Sequence, residues 1–375
     1  MEFRDLKKQY QVLKKDIDEA MIKVATNCNF ISGKEVTELE EQLAEYVGVK
    51  HCISCANGTD ALSLAAMAWG WKEGDAIFVP DFTFFSTGEI VAFEGATPIF
   101  VDVEEDTFNI SPASLEEAIN VVLKEGKLTP KAVIAVDLFG LPAKYPEIQS
   151  ICEKYGLKLL EDAAQGFGGR IGNQVACSFG DMATTSFFPA KPLGCYGDGG
   201  AIFTNDDELA TLLRSLRIHG KGADKYDNVR VGMNSRLDTI QAAILQVKLR
   251  AFADYENDDI NKAAERYTEL LKDTVKVPMV PEGYLSSWAQ YTLILKSKEQ
   301  RDGLQAYLKE QGIPSMIYYI KPMHKQGAFK EYDCVKVDLS VTDRLCDCVL
   351  SLPMHPYLDE EQQNIVSKAI KEFLK

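Results

Sequence analysis

Long apolar runs are missing: no uncharged stretch approaches the ~20 residues that a membrane helix requires, so a membrane partner is not expected. The start, Met-Glu-Phe-Arg-Asp, has no apolar signal core, and a cytoplasmic location is expected. Positive charge is also short. Forty-one Lys and Arg stand against 56 Asp and Glu, a net charge of −15, which opposes binding built on neutralising a phosphodiester backbone, so no nucleic-acid partner is expected. The nine cysteines are odd in number, which argues against a disulfide framework and for reducing surroundings. Cys52 and Cys55 form a C-x-x-C within an apolar stretch. No second Cys or His pair has zinc spacing, so no metal site is expected. Internal repeats and low-complexity tracts are absent.

What is present suits a large folded enzyme. The 375 residues allow two or three globular units, and 46% hydrophobic with 26% charged residues is the balance of soluble domains. From about residue 35 to 220, amphipathic windows alternate with short apolar runs, the pattern of a sheet with helices on both faces. Val36, Leu39, Leu43 and Tyr46 fall on one helical face. The runs Ile53 to Ala56, Ile77 to Pro80, Ile99 to Val103, Ala132 to Leu138, Leu157 to Glu161 and Ala201 to Thr204 read as strands. Helical windows lie between most of them, one with capping-box spacing at Ser114 and Glu117, so parallel pairing is the economical topology. Residues 235 to 273 read as a long helical pair, with a break or cap at Asp258-Asp259. Beyond Val277 the texture changes to a strand-like Tyr291 to Leu295, a helical 298 to 311 and a terminal helix near 361 to 374. The expected fold is α/β: a large domain over 1–250 with a mostly parallel central sheet between helices, and a smaller α+β domain over 251–375.

Three segments point to chemistry. In Cys55-Ala-Asn-Gly-Thr-Asp-Ala-Leu62 a strand turns into a helix through Gly58 and Thr59. Free N–H groups and a hydroxyl there suit a phosphate, although an ordinary capped helix start has the same pattern. Leu159-Leu-Glu-Asp-Ala-Ala-Gln165 delivers Asp162 at the carboxyl end of a strand, where open α/β sheets place their ligands. In Ser186-Phe-Phe-Pro-Ala-Lys-Pro-Leu-Gly-Cys-Tyr-Gly-Asp-Gly-Gly200, prolines and glycines around Lys191 forbid a regular helix. An amine among mainly apolar neighbours loses proton affinity and becomes a nucleophile toward an aldehyde. A phosphate cradle, a carboxylate for a pyridine nitrogen and an amine together meet the needs of pyridoxal phosphate. Phe84 offers an aromatic face for a flat ring, or simple core.

These segments resemble the DegT-type nucleotide-sugar aminotransferases among the fold type I pyridoxal phosphate enzymes. The likeness extends to Phe30-Ile-Ser-Gly-Lys-Glu-Val36, to Gly232-Met-Asn-Ser-Arg236 with Asp238 and Gln241, and to Leu352-Pro-Met-His355. It implies that Lys191 is the Schiff-base lysine, Asp162 the pyridine-nitrogen partner and Gln165 the contact to the phenolic oxygen. Gly58, Thr59 and Ser186 resemble phosphate ligands. Asn234 resembles a residue reaching the phosphate of the other subunit, which implies a homodimer with shared active sites. Arg236 offers a carboxylate a bidentate fork, and His324 resembles a position near the nucleotide-sugar pocket.

The loop after Lys191 looks most like the branch that aminates UDP-2-acetamido-2-deoxy-3-oxo-glucuronate with L-glutamate as donor, for surface polysaccharide such as lipopolysaccharide O-antigen. Asp137 departs from a frequent His and Asp60 from a frequent Glu. The alternatives are a sugar dehydratase on the same scaffold, a branch with histidine in place of the lysine, and a sensory or regulatory homologue without turnover.

Overall fold

The computed structural model describes residues 1–224, 226–332 and 336–375, so Cys334 lies outside the described residues. The chain opens with helices α1 (Leu6–Asn27) and α2 (Lys34–Val47), followed by strand β1 (His51–Cys55), α3 (Gly58–Trp69), β2 (Asp75–Pro80), α4 (Ser86–Phe93), β3 (Thr97–Val101), α5 (Pro112–Glu125), β4 (Thr129–Val136), α6 (Tyr145–Tyr155) and β5 (Lys158–Asp162). Short strands β6 (Arg170–Ile171) and β7 (Gln174–Val175) precede β8 (Met182–Ser186), β9 (Gly200–Thr204) and α7 (Asp207–Leu216). Helices α8 (Thr239–Ala251) and α9 (Asn257–Leu271) lead into β10 (Tyr284–Leu285), β11 (Tyr291–Ile294), α10 (Lys298–Glu310), α11 (Ser340–Cys348), β12 (Val349–Leu352) and α12 (Glu360–Phe373).

Seven strands form the main sheet in the order β1-β9-β8-β5-β4-β2-β3. Pairing is parallel from β3 across to β8; β9 is antiparallel to both its neighbours, β8 and β1. Alternate residues serve opposite faces, as the two-residue period of a strand requires. Ile53, Ile77, Ile134, Leu160 and Ile202 face α3 and α7. Cys52, Ala183, Ala201 and Phe203 face α2 and α8, while Phe78, Ile99, Val133 and Leu159 face α5 and α6. The antiparallel pair of β11 and β12 has a core of its own with α9, α10 and α12, centred on Tyr267, Leu293, Leu304, Leu350 and Val366.

Two local expectations are corrected, and three elements escaped reading. The cap of α5 is Ser111, whose side chain accepts from Ser114 N at 3.3 Å; Pro112, with no N–H to satisfy, occupies the first turn and moves the start ahead of the Ser114 box. Asp258 and Asp259 break nothing. They lie in the first turn of α9, joined to α8 through a π-helical turn over Phe252–Glu256. Strand β8, Met-Ala-Thr-Thr-Ser, escaped the apolar-run criterion because its Thr184 and Thr185 hydroxyls are satisfied by the carbonyls of Glu161 and Ala163 at 3.2 and 2.9 Å. Strand β12 and helix α11 also went unread.

Among the described residues the cysteines are free thiols, no His, Cys, Asp and Glu cluster suits a metal ion, and no helix is long and apolar enough to cross a membrane.

The C-terminal part is tied to the sheet through buried Asp102, just after β3. It accepts from Val341 N at 2.9 Å, Thr342 N at 2.9 Å and Thr342 Oγ1 at 2.7 Å. Asp102→Ala strands these donors and should cost roughly 2–3 kcal/mol of unfolding free energy in denaturant titration. A loss below about 0.5 kcal/mol would show that water replaces the carboxylate.

Candidate active site

The carboxyl ends of β1, β2, β4, β5 and β8 open on one edge of the sheet, and the sequence delivers its polar residues there. After β1, Asn57 caps α3 by accepting from Asp60 N at 2.8 Å, leaving the Gly58–Thr59 end of the helix facing outward. A Cβ on Gly58 would stand 2.7 Å from Ser186 Cβ, so only glycine lets the helix start meet the end of β8. A Cβ on Gly200 would stand 2.4 Å from the Asn57 carbonyl oxygen. Gly58 and Ser186 are thus brought together, with Thr59 next in the chain, at a helix N-terminus of the kind that suits a phosphate.

Asp162 ends β5 and is 4% exposed. Its Oδ2 accepts from Thr87 Oγ1 at 3.0 Å and its Oδ1 from Ala164 N at 3.2 Å. Burial pushes the carboxyl above its ordinary range, while the Ala164 N–H, the Lys191 charge and the Thr87 hydroxyl pull it back. A cation held against this carboxylate relieves its desolvation, as a protonated pyridine nitrogen would.

Phe82 and Phe85 pack into aromatic clusters, but Phe84 between them is 54% exposed. Its carbonyl accepts from Thr87 N at 3.3 Å, one turn from the Asp162 contact. Gln165 is buried, with Oε1 accepting from Phe139 N at 2.9 Å and Nε2 donating to Tyr319 OH at 3.2 Å. Tyr319 was missed by sequence reasoning; its only signal was an aromatic in the Pro-bearing run ahead of His324.

Lys191 sits on the loop joining β8 to β9. Phe187 N donates to Gly199 O at 2.7 Å, Cys195 N to Phe187 O at 2.8 Å and Lys191 N to Phe188 O at 2.8 Å, giving a closed, irregular hairpin. Gln241 of α8 holds it from below, accepting from Tyr196 N at 2.8 Å and donating to Tyr196 O at 3.2 Å. Burial lowers the Lys191 ammonium to about 8; Asp162 opposes the fall and Arg4 adds to it.

The remaining candidates stand apart from this set. Exposed Asn234 accepts from Arg236 Nη2 at 2.6 Å, while buried Ser235 between them accepts from Ala56 N at 3.0 Å and holds the segment against the β1–α3 turn. His324 is tied to fully buried Asp81 at the end of β2, through its N at 2.8 Å and its Nδ1 at 2.6 Å. That hydrogen bond raises the imidazole's proton affinity. Asp137 turns inward, accepting from Tyr145 OH at 2.7 Å and Ala143 N at 3.1 Å. Burial lifts it to about 7 and lifts neighbouring Glu161 well above its ordinary range.

A helix start that suits a phosphate, a buried carboxylate and a lysine amine on one sheet edge fit pyridoxal phosphate, and with the mostly parallel sheet they fit the aminotransferases of fold type I. The chain matches the DegT/DnrJ/EryC1/StrS aminotransferase family over residues 11–371 and belongs to it. It is 45% identical over 373 residues, covering 99% of each chain, to the UDP-2-acetamido-2-deoxy-3-oxo-D-glucuronate aminotransferase of Pseudomonas aeruginosa. It is 42% identical, over 98% of this chain and 97% of the other, to a pleiotropic regulatory protein of Geobacillus stearothermophilus. The crystal structure of a DegT DnrJ EryC1 StrS aminotransferase from Brucella abortus superposes with TM-score 0.97 and 52% identity, covering 100% and 99% of the chains.

Two measurements check this geometry. Only the neutral amine attacks an aldehyde, so capture of pyridoxal phosphate by the apoenzyme should rise with pH through about 8, not through the ordinary lysine value of 10.5. A profile still climbing steeply above pH 9.5 or so would contradict the buried amine. Gly58→Ala, by pushing the helix start off Ser186, should weaken cofactor retention about tenfold in equilibrium dialysis while the fold persists; unchanged retention would remove this turn from the phosphate site.

Proposed function

We propose that the enzyme transfers the amino group of L-glutamate to a keto-sugar nucleotide, UDP-2-acetamido-2-deoxy-3-oxo-glucuronate, for a surface polysaccharide such as lipopolysaccharide O-antigen. The observation that carries the chemistry is buried Asp162 within electrostatic reach of a Lys191 amine lowered to about 8. The sugar assignment rests on the full-length similarity to the Pseudomonas enzyme.

Bound pyridoxal phosphate supplies an aldehyde that takes up the amino group and a ring that accepts electron density from the substrate carbon. Gly58, Thr59 and Ser186 would hold its phosphate, and Phe84 would offer an aromatic face to its ring. Asp162 keeps a proton on the pyridine nitrogen, and the Gln165 amide donates to the phenolic oxygen. Lys191 Nζ first holds the cofactor. Once displaced by glutamate it removes the proton from the donor's α-carbon, and in the second half-reaction it delivers a proton to the sugar carbon.

Asn234 and Arg236 are assigned to the site of a neighbouring copy, Asn234 to its phosphate and Arg236 to a substrate carboxylate, in a homodimer with shared active sites. The exposed apolar side chains of Phe30, Ile31, Phe188, Val229 and Val231 support such an interface. His324, its ring fixed by Asp81, is assigned to the rim of the nucleotide-sugar pocket. The free thiols support a cytoplasmic location. Retention of Lys191 argues against the dehydratase reading, and Lys191 with Asp162 argues for turnover over a purely regulatory role.

The test is incubation with glutamate and a panel of keto-sugar nucleotides, with 2-oxoglutarate measured and the aminated product identified by mass and NMR. Lys191→Ala should abolish turnover and leave the melting transition in place; full activity in that variant refutes the assignment. Reaction only with keto-hexoses lacking a carboxylate would refute the uronic acid.

A further inference from the structure

The segment before α1 is anchored at both ends. Met354 N donates to Phe3 O at 3.0 Å, the Phe3 ring packs 6.3 Å from that of Tyr318, and Asp5 caps α1 by accepting from Lys8 N at 2.8 Å. Arg4 is thereby held against the Lys191 loop. Its Nη2 donates to the carbonyls of Lys191 at 2.9 Å and Pro192 at 3.4 Å, and its Nη1 is buried with no hydrogen-bond partner among the described residues. Lys248 of α8, also buried, donates to Gly194 O and lies 5.2 Å from the Tyr196 ring centroid. Two cations therefore grip the carbonyls of one loop. Their countercharge is buried Glu256 in the π-helical turn, which accepts from Gln9 Nε2 at 3.0 and 3.1 Å and from Tyr357 OH at 2.5 Å.

A loop broken by prolines and glycines leaves carbonyls without ladder partners, and any buried donor would satisfy them. Neutral donors would do so without the desolvation that lowers the Arg4 guanidinium to about 10 and the Lys248 ammonium to about 8. Charge at this place has a further effect. The charged groups acting on the Lys191 amine are Asp162, which favours its proton, and Arg4, which disfavours it. Arg4 in turn is faced by Glu256, Lys248 and His355, the last lowered to about 4 by burial and so neutral at working pH.

We propose that Arg4 is a positioning residue of the active site, fixing the Lys191 backbone and presenting a constant positive charge to its amine. The proposal rests on the assignment of Lys191 made above. Through this contact the N-terminal segment, the 354–357 segment and the π-helical turn all bear on the reacting nitrogen.

The test uses apoenzyme of the wild type, Arg4→Gln and Arg4→Lys, with capture of pyridoxal phosphate followed against pH and the borohydride-fixed adduct located by peptide mass. Arg4→Gln keeps a donor and removes the charge. Its capture midpoint should rise by roughly one unit, slowing capture at pH 7 about tenfold, while Arg4→Lys stays within about 0.3 unit of the wild type. In the holoenzyme, Arg4→Gln should lower kcat and leave the KM for glutamate nearly unchanged. Should Arg4→Gln fail to fold, Arg4→Met, which keeps the apolar stem and removes the charge, should raise the midpoint in the same direction and decides the matter. An unmoved midpoint in either charge-changing variant overturns the proposal even if melting temperature falls, since a purely structural clamp predicts that pattern. A wild-type adduct mapped to another lysine would instead overturn the Lys191 assignment.

Discussion

Two opposite charges drawn out of water at the end of a parallel sheet set the terms for the rest of this molecule. Asp162 is buried by strand neighbours on both sides, and the Lys191 amine is lowered by its own burial. Each is costly alone, and each restrains the other's neutralisation. The architecture supplies what such a pair needs: hydrogen bonds to the carboxylate from Thr87 and Ala164, and a rigid carrier for the amine. Holding the cofactor is then a matter of replacing lost solvation with a fitted ligand.

Close approach is the second requirement. The start of α3 can face Ser186 only because Gly58 has no side chain, and the return strand can lie against Asn57 only because Gly200 has none. The N-terminal end of α3 and the end of β8 at Ser186 are thereby brought into contact, with the helix dipole directed at the junction. Behind this layer, Asp137 and Glu161 carry carboxyl groups that reach no solvent, and Gly166 leaves room for them: a Cβ there would stand 2.3 Å from Asp137 Oδ2. The region behind Asp162 is therefore polar in composition and closed to solvent.

Much of this was legible in the residues, and for physical reasons. Strands buried on both faces need unbroken apolar runs, so β2, β4 and β5 stood out, as did the residues at their carboxyl ends. Lys191 could be singled out because proline and glycine spacing around it is incompatible with a helix. What escaped reading depended on partners distant in the chain. β8 hides its strand character behind threonines whose hydroxyls find carbonyls on and after β5. Tyr319 meets Gln165 across 154 positions and Arg4 meets Lys191 across 187, neither marked by any local pattern. Asn234 and Arg236 are a different case, since among the described residues their side chains hydrogen-bond to each other and not to the rest of the site.

The reversed direction of β9 fixes how the Lys191 amine is carried. Had β8 been followed by a parallel neighbour, the chain would have crossed beneath the sheet by way of a helix and re-entered from the far edge. An antiparallel return keeps the whole excursion on the near edge, stapled by Phe187 and Gly199 at its neck. The nitrogen can swing only as far as its own four methylenes reach, so any travel of the amine is a side-chain rotation on a stationary base.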